Sequence, residues 1–583
     1  MIRILKKLRK KDILLIIISI AFIAVQVWLD LKLPDYMSEI TLLVQTPDNE
    51  MTDILAAGIK MLLCALGSLV SAVAVSILCA RIATDFGADL RSGLYNKVLS
   101  FSKGEISKFS TASLITRSTN DVMQVQMLIL MGLQSIIKAP LMGTWAIIKI
   151  AGKNTEWTIT TAIAVMCLMV VVVLAVALML PKFRKIQKMT DDLNRITREN
   201  LNGISVIRAY NAEDYQQNKF DATNNYLTKA NLFTGRVSAF MMPSIQMIMN
   251  GLSLSIYWLG AALIDSAGIQ QKIGLFSDMI VFSQYAMQVV MAFMMLVMLF
   301  IMLPRASVSA KRILEVFDSP VYIQDGNIFS NAANCEGEIE FKNVSFRYPD
   351  GEGDVIENIS FTAKKGETVA VIGSTGSGKT ALIDLIPRFY DATSGEVLVD
   401  GVNVKDYKLK TLRNKIGYVS QKATLFSGTV RSNVIFGDSK HDLSQNFVES
   451  IYTAQAADFV EKMEKGYDGV ISQDGANLSG GQKQRLSIAR AICRRPEILI
   501  FDDSFSALDY KTDRTLRQKM NKDCKNITKL IVAQRIGTIR DADRIIVLDE
   551  GKMVGYGKHS YLMENCEVYR QIAYSQLSKE ELA

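Results

Sequence analysis

The sequence predicts a polytopic α-helical membrane domain of six long helices, followed by a soluble α/β domain. Three observations carry this reading. Six stretches are apolar and long enough to cross a bilayer, which takes about 20 residues each, and all lie in the first three hundred positions. From Glu338 the pattern changes to short strands, tight turns and alternating helices. Within that second half, "GSTGSGKT" (Gly373 to Thr380) stands between an apolar strand and a helical pattern. At 583 residues the chain is too long for one core. Hydrophobic residues make up 49% and mean hydropathy is +0.19, high for a soluble protein.

The elements follow in order. Residues 1–12 carry six basic side chains within "MIRILKKLRKK" and run straight into an apolar segment. A basic tail of this kind can bind nucleic acid, but the apolar segment behind it makes it a cytoplasmic membrane flank, with no nucleic-acid partner expected. No small-residue cleavage site follows the first apolar run, so no cleavable leader is expected. The transmembrane domain is placed at 13–303, with spans near 13–33, 55–80, 129–151, 157–180, 240–264 and 279–303. The third is the weakest, because Lys138 and Lys149 interrupt it. Connection 34–54 has no Lys or Arg, whereas 81–128 and 181–239 are long, polar and basic. Excess Lys and Arg marks the cytoplasmic face, so the chain is expected in the cell membrane with both termini and both long connections on the cytoplasmic side. Those connections have helical periodicity without strong breakers and read as helices prolonged beyond the bilayer. Eleven of the 27 methionines lie between Met241 and Met302, and Gln284 and Gln288 sit one helical turn apart. Such residues can line a promiscuous apolar cavity or simply pack helices. Residues 304–335 begin as a helix with Arg305, Lys311 and Arg312 and end in an Asn-, Gly- and Ser-rich linker. The seven cysteines, including Cys335, form no CxxC pair and are expected as free thiols.

The soluble domain, 336–583, carries the chemistry. In Gly373, Ser374, Thr375, Gly376, Ser377, Gly378, Lys379 and Thr380 the glycines let backbone N–H groups close around phosphate oxygens, and the helix start adds positive potential. Lys379 can reach β- and γ-phosphates, and the Thr380 hydroxyl can ligate Mg²⁺. "ILIFD" (Ile498 to Asp502) reads as a buried parallel strand that delivers the Asp502 carboxylate to the metal. "LSGGQ" (Leu478, Ser479, Gly480, Gly481, Gln482) opens a second helix whose N-terminus suits an anion. One nucleotide does not need both in one domain, so this second site is expected to grip the nucleotide of another chain.

These elements resemble Walker A, signature and Walker B to D-loop segments of ATP-binding cassette transporters, the last in "ILIFDDSFSALD", which ends in Asp509. The resemblance covers nearly the whole chain, as six spans and one P-loop cassette, the layout of exporter half-transporters. It implies ATP and Mg²⁺ as ligands, Tyr348 in "FRYPD" stacking on adenine, and Gln421 in "GYVSQ" touching Mg²⁺. "LITRSTNDV" (Leu114 to Val122) and the stretch Glu199 to Tyr215 resemble the family's two intracellular loops, whose short helices dock on cassettes.

Two positions depart from the family. The catalytic glutamate after the Walker B aspartate is Asp503, one methylene and so about 1.5 Å shorter. A base must lie within about 3.2 Å of its proton donor, and a misplacement near 1 Å can cost about 100-fold. The switch histidine is replaced by Gln534, which can donate a hydrogen bond but cannot carry an imidazolium charge. The only histidines, His441 and His559, lie elsewhere. An intact signature beside a weakened base resembles the degenerate-site subunit of heterodimeric bacterial multidrug exporters. It implies a second half-transporter with an intact Glu and His, membrane lipid as surroundings, and an amphipathic cargo. The alternatives are a homodimeric lipid or peptide exporter with slow hydrolysis, and an ATP-gated regulatory or channel subunit.

Overall fold

The computed structural model describes residues 2–45, 50–151, 155–329, 336–437 and 444–576; Cys335 and His441 lie outside the described residues. The chain divides into two compact units. One holds the chain up to Lys97 together with Ala112–Asp318, and the other holds Val98–Thr111 and the chain from Ser319 onward.

Six helices long and apolar enough to cross a membrane belong to the first unit: α1 Lys10–Gln45, α2 Met51–Leu99, α4 Thr111–Ala151, α5 Thr155–Asn202, α7 Glu213–Ser266 and α8 Ile269–Asp318. Short helix α6 (Ile204–Ala209) belongs to the same unit, and short helix α3 (Lys103–Lys108) to the second. At 1.5 Å per residue the 49 residues of α2 extend about 73 Å, more than twice a hydrocarbon core of about 30 Å. The basic connections are therefore helix rather than loop. Small buried residues let the helices of this unit approach, among them Ser68 and Ser71 of α2 and Gly132 and Gly143 of α4. Large apolar residues such as Leu62, Leu63 and Leu69 point outward, as lipid-facing positions do. The two lysines that break the third span are paired. Lys138 Nζ meets Asp30 Oδ2 at 3.3 Å, and Lys149 Nζ meets Asp35 Oδ2 at 2.8 Å, both across to α1. Tyr285 of α8 donates to Asp35 Oδ1 at 2.6 Å.

In the second unit, strands β1 Ile339–Phe346, β2 Ile356–Ala363, β4 Ser394–Val399 and β5 Val402–Asn403 form an antiparallel sheet in the order β2-β1-β4-β5. The main sheet has the order β10-β9-β3-β8-β7-β6. It consists of β3 Thr368–Gly373, β6 Ile416–Val419, β7 Ile498–Asp502, β8 Thr528–Val532, β9 Arg544–Asp549 and β10 Lys552–Gly557. All are parallel except β10, which pairs antiparallel with β9. Every residue of β7 and β8 is buried, as a sheet covered on both faces requires. Helix α9 (Lys379–Asp384) follows β3, α10 (Gly480–Cys493) precedes β7, and α11 (Tyr510–Asp523) follows it. The order of parallel strands puts the ends of β3 and β7 close together with β8 between them, and that crevice is where such folds bind ligands.

Candidate functional site

Strand β3 ends at Gly373, and a Cβ there would run into the Leu548 carbonyl and lie 2.6 Å from Ser377 Oγ. Gly378 has φ +94°, and a Cβ there would lie 2.6 Å from Ile356 Cγ2. Only glycine fits both points, so the backbone of 373–378 wraps tightly into the start of α9. Lys379 is buried and turns its ammonium onto this loop, donating to the carbonyls of Gly373 at 2.9 Å and Ser374 at 2.6 Å. Burial lowers its pKa, while Asp503 and Asp502 raise it. A glycine-lined cradle with one buried cation fits a polyphosphate chain.

At the end of β7, Asp502 Oδ1 accepts a hydrogen bond from Thr380 Oγ1 at 3.0 Å. A hydroxyl and a carboxylate in contact are hard oxygen donors of the sort Mg²⁺ takes alongside phosphate oxygens. Burial raises the Asp502 pKa; the Thr380 hydrogen bond and the charge of Lys103 oppose it. A divalent cation there would hold the carboxylate ionised.

The next residue, Asp503, is buried and sits at φ +45°. Its Oδ2 accepts from Gln534 Nε2 at 3.0 Å and, more weakly, from Gln421 Nε2 at 3.4 Å. Gln534 and Gln421 thus converge on one oxygen of Asp503. Burial raises the Asp503 pKa, while Gln421 and Lys379 lower it. The loop carrying Gln534 is clipped by a residue that the sequence reading passed over. Gln576 donates to the Gln534 carbonyl at 2.7 Å and accepts from the Ile536 N–H at 2.8 Å.

Tyr348 stands edge-on to Phe346 and Tyr390, with ring centroids 4.9 Å and 5.3 Å away, and feels the charges of Asp384 and Asp502. It therefore shares the side of the domain that holds the phosphate loop. Ser479 caps α10 in a reciprocal box: its N–H donates to Gln482 Oε1 at 2.9 Å, and Gln482 N–H donates to Ser479 Oγ at 3.3 Å. Among the described residues no hydrogen bond or ion pair joins Leu478–Gln482 to 373–380. Asp509 caps α11 by accepting from the Thr512 N–H at 2.9 Å, which holds its carboxyl below the usual range.

Sequence reasoning also missed a cluster behind the phosphate loop. Lys103 of α3 donates to both oxygens of Asp384, at 2.9 Å each, and lies 4.4 Å from the centroid of the Phe389 ring. Tyr418, on the strand leading to Gln421, donates to Asp384 Oδ1 at 3.1 Å. Lys103 and Asp384 belong to the same compact unit. In the first unit, Leu114–Val122 lies on α4, where Asp121 accepts from Ser309 at 2.8 Å and Arg117 pairs with Glu315 at 2.8 Å.

Six apolar membrane helices, a phosphate loop beside a metal-ready aspartate, and a second glycine-started helix define a membrane protein with a nucleotide-binding domain. Two family profiles match, "ABC transporter transmembrane region" over residues 13–311 and "ABC transporter" over 356–506. An uncharacterized ABC transporter ATP-binding protein of Mycobacterium tuberculosis is 38% identical over 517 residues, covering 88% of this chain and 86% of its own. One of Bacillus subtilis is 37% identical over 509 residues, covering 87% and 86%. An ATP-dependent lipid A-core flippase of Aromatoleum aromaticum is 30% identical over 502 residues, covering 86% and 82%. The structure of a bacterial Atm1-family ABC exporter with ATP bound superposes with a TM-score of 0.78 at 21% identity, covering 96% of this chain and 98% of the other. The chain belongs to the ABC transporter family and has the ABC exporter fold, as a multi-pass membrane half-transporter with a C-terminal ATP-binding domain.

Proposed function

We propose that this chain is one subunit of a heterodimeric ATP-driven exporter that moves amphipathic compounds, drugs or lipids, out of the cell. Its own ATP pocket is degenerate, and its signature segment completes the competent pocket of its mate. The carrying observation is the state of Asp503. Its short carboxylate is engaged on one oxygen by Gln534 and Gln421, so it is poorly placed to take a proton from water. Gly373–Thr380 would hold the triphosphate, Thr380 and Asp502 the Mg²⁺ with Gln421 beside it, and Tyr348 the base. Mg²⁺ would neutralise charge developing on the phosphates. Ser479 to Gln482 would face the nucleotide of the mate, with Asp509 at the junction.

A second subunit is also favoured by apolar side chains left exposed in the basic stretch 181–239. Leu201, Tyr215 and Tyr226 are 71%, 69% and 64% exposed. If that stretch is cytoplasmic, with N- and C-termini inside, lipid does not cover them. The flippase relatives make lipid a reasonable cargo, and a homodimeric lipid exporter is the alternative. The domain divisions proposed are 1–12, 13–303, 304–335 and 336–583.

The test is phosphate release by the purified chain alone and together with a second half-transporter carrying Glu and His at the two positions. The expected result is slow turnover alone and brisk turnover in the pair. Brisk turnover by this chain alone, abolished by Asp503→Asn, would overturn the degenerate-site reading and favour the homodimer.

A further inference from the structure

Strand β8 carries a lysine in a place where strands of this kind carry apolar residues. Its alternation sends Leu530 and Val532 into the hydrophobic layer shared with β1 and β2, and Ile531 into the opposite layer with Phe501 and Leu516. Lys529 points the same way as Ile531 and is 3% exposed. Among the described residues no hydrogen bond or ion pair engages its ammonium. A cation so little hydrated gains from an anion brought to it.

The surroundings favour an anion. Lys529 is in the wall of a cavity of about 550 Å³, within the size range of small-molecule sites. Arg514 and Arg517 of α11 line it, as does Arg540, beyond the Gln534 loop. Arg517 is fixed in place, bidentate to Asp513 at 3.0 Å and 3.2 Å and donating to the Thr538 carbonyl at 3.2 Å. The acidic groups facing this space are Asp541, in the lining, and Asp543, whose Oδ2 is occupied by the Thr368 N–H at 2.8 Å. Arg517 is already paired with Asp513, whereas among the described residues no hydrogen bond or ion pair engages Lys529 or Arg514. Burial pushes the Lys529 ammonium down, and Cys524 and Asp543 push it back up. No residue of 373–380 lines this space.

We propose that this cavity is a second anion site, in which Lys529 and Arg514 hold a phosphate group. A compact dianion suits a buried ammonium and guanidinium groups better than a carboxylate or chloride does. The group can be free phosphate or the phosphoryl end of a nucleotide. The walls explain what the site would do. Helix α11 is capped by Asp509, and the segment reaching Arg540 begins at Gln534. A phosphate bridging Lys529 and Arg514 would tie these two elements together from behind, away from the phosphate loop.

The experiment is calorimetric titration of the full-length chain in lipid nanodiscs, in chloride buffer, with a Lys379→Ala background that weakens the phosphate loop. Inorganic phosphate is titrated in one arm and adenosine monophosphate in the other. One phosphate-binding site per chain is expected to remain in that background. Lys529→Met, which keeps length and removes charge without unfolding a buried strand, is expected to weaken it at least tenfold. Arg514→Ala, at an exposed position, is expected to weaken it several-fold. Binding in both arms identifies a nucleotide site, and binding in the phosphate arm alone identifies a free-phosphate site. No binding in either arm, or an affinity unchanged by both substitutions, overturns the proposal.

Discussion

At the scale of single residues, the decisive atom is Oδ2 of Asp503, which takes hydrogen bonds from two amides. Each amide stabilises the ionised carboxylate but competes with any water that would lie against it. Changing Asp503→Glu alone adds reach without freeing the oxygen. Joined with Gln534→His, it supplies both a longer carboxylate and a group able to carry charge near the γ-phosphate. Phosphate release by the chain alone is expected to rise on the order of tenfold to 100-fold in the double variant, and far less in either single one. Steady-state ATPase assays check this, and equal gains in single and double variants would refute the coupling. Gln576 adds a second handle. Gln576→Ala removes the clip on the Gln534 loop and is expected to speed amide exchange across 534–540 while leaving α10 unchanged.

At the scale of elements, α3 is a six-residue helix that cannot stand by propensity. A capping box supports it: Ser102 N–H donates to Glu105 at 2.6 Å, and the same carboxylate accepts from the Tyr322 N–H at 2.7 Å. Burial alone would raise the Glu105 pKa, but the hydrogen bonds from Ser102 and Tyr322 outweigh it and the pKa falls. A depressed folded value means that the stabilisation is full above the ordinary glutamate range and is lost as pH falls through the folded value. Exchange protection of α3 is therefore expected to fade on acidification below about pH 4.3 in the native protein, and much less in Glu105→Gln. Lys103→Met would leave Asp384 buried with only Tyr418 and is expected to cost about 1–3 kcal/mol, read as a lower unfolding temperature. In the membrane unit, Lys138→Met leaves the Asp30 charge with only the Ser68 hydroxyl, whereas Lys138→Met with Asp30→Asn leaves no charge uncompensated. The double variant is expected to be the more stable of the two, a coupling that a thermal double-mutant cycle measures. These pairs also mark what the sequence hides. GSTGSGKT, ILIFD and LSGGQ are read at once because each motif is local and its chemistry depends on contiguous backbone. Lys138 and Lys149 look like breaks in a span because their partners lie more than a hundred residues away on α1. Lys103 and Asp384 are silent for the same reason, as is Lys529, which passes for an ordinary strand position until its neighbours are in place.

At the scale of the whole molecule, the chain carries two glycine-rich helix starts, and among the described residues no hydrogen bond or ion pair joins them. Walker A closes around Lys379, while Ser479 and Gln482 satisfy each other at the start of α10 and leave its remaining N–H groups unclaimed by the phosphate loop. A helix N-terminus with free donors gains from a phosphate brought by another subunit. This makes the two halves of the cassette separable by mutation. Gly481→Asp puts a carboxylate where that phosphate would lie, and its Cβ already approaches the Ala507 carbonyl at 3.2 Å. In a pair with a Glu- and His-bearing half-transporter it is expected to cut phosphate release on the order of 100-fold, because on the function proposed above the lost donors would serve the competent pocket. On the function proposed above, Lys379→Ala strikes a pocket that would hold ATP without breaking it, and is expected to slow the pair only several-fold. Measured side by side, the opposite ranking would place bond breaking in this chain's own pocket. The ranking would then assign hydrolysis to the carboxylate of Asp503 despite its two amide partners.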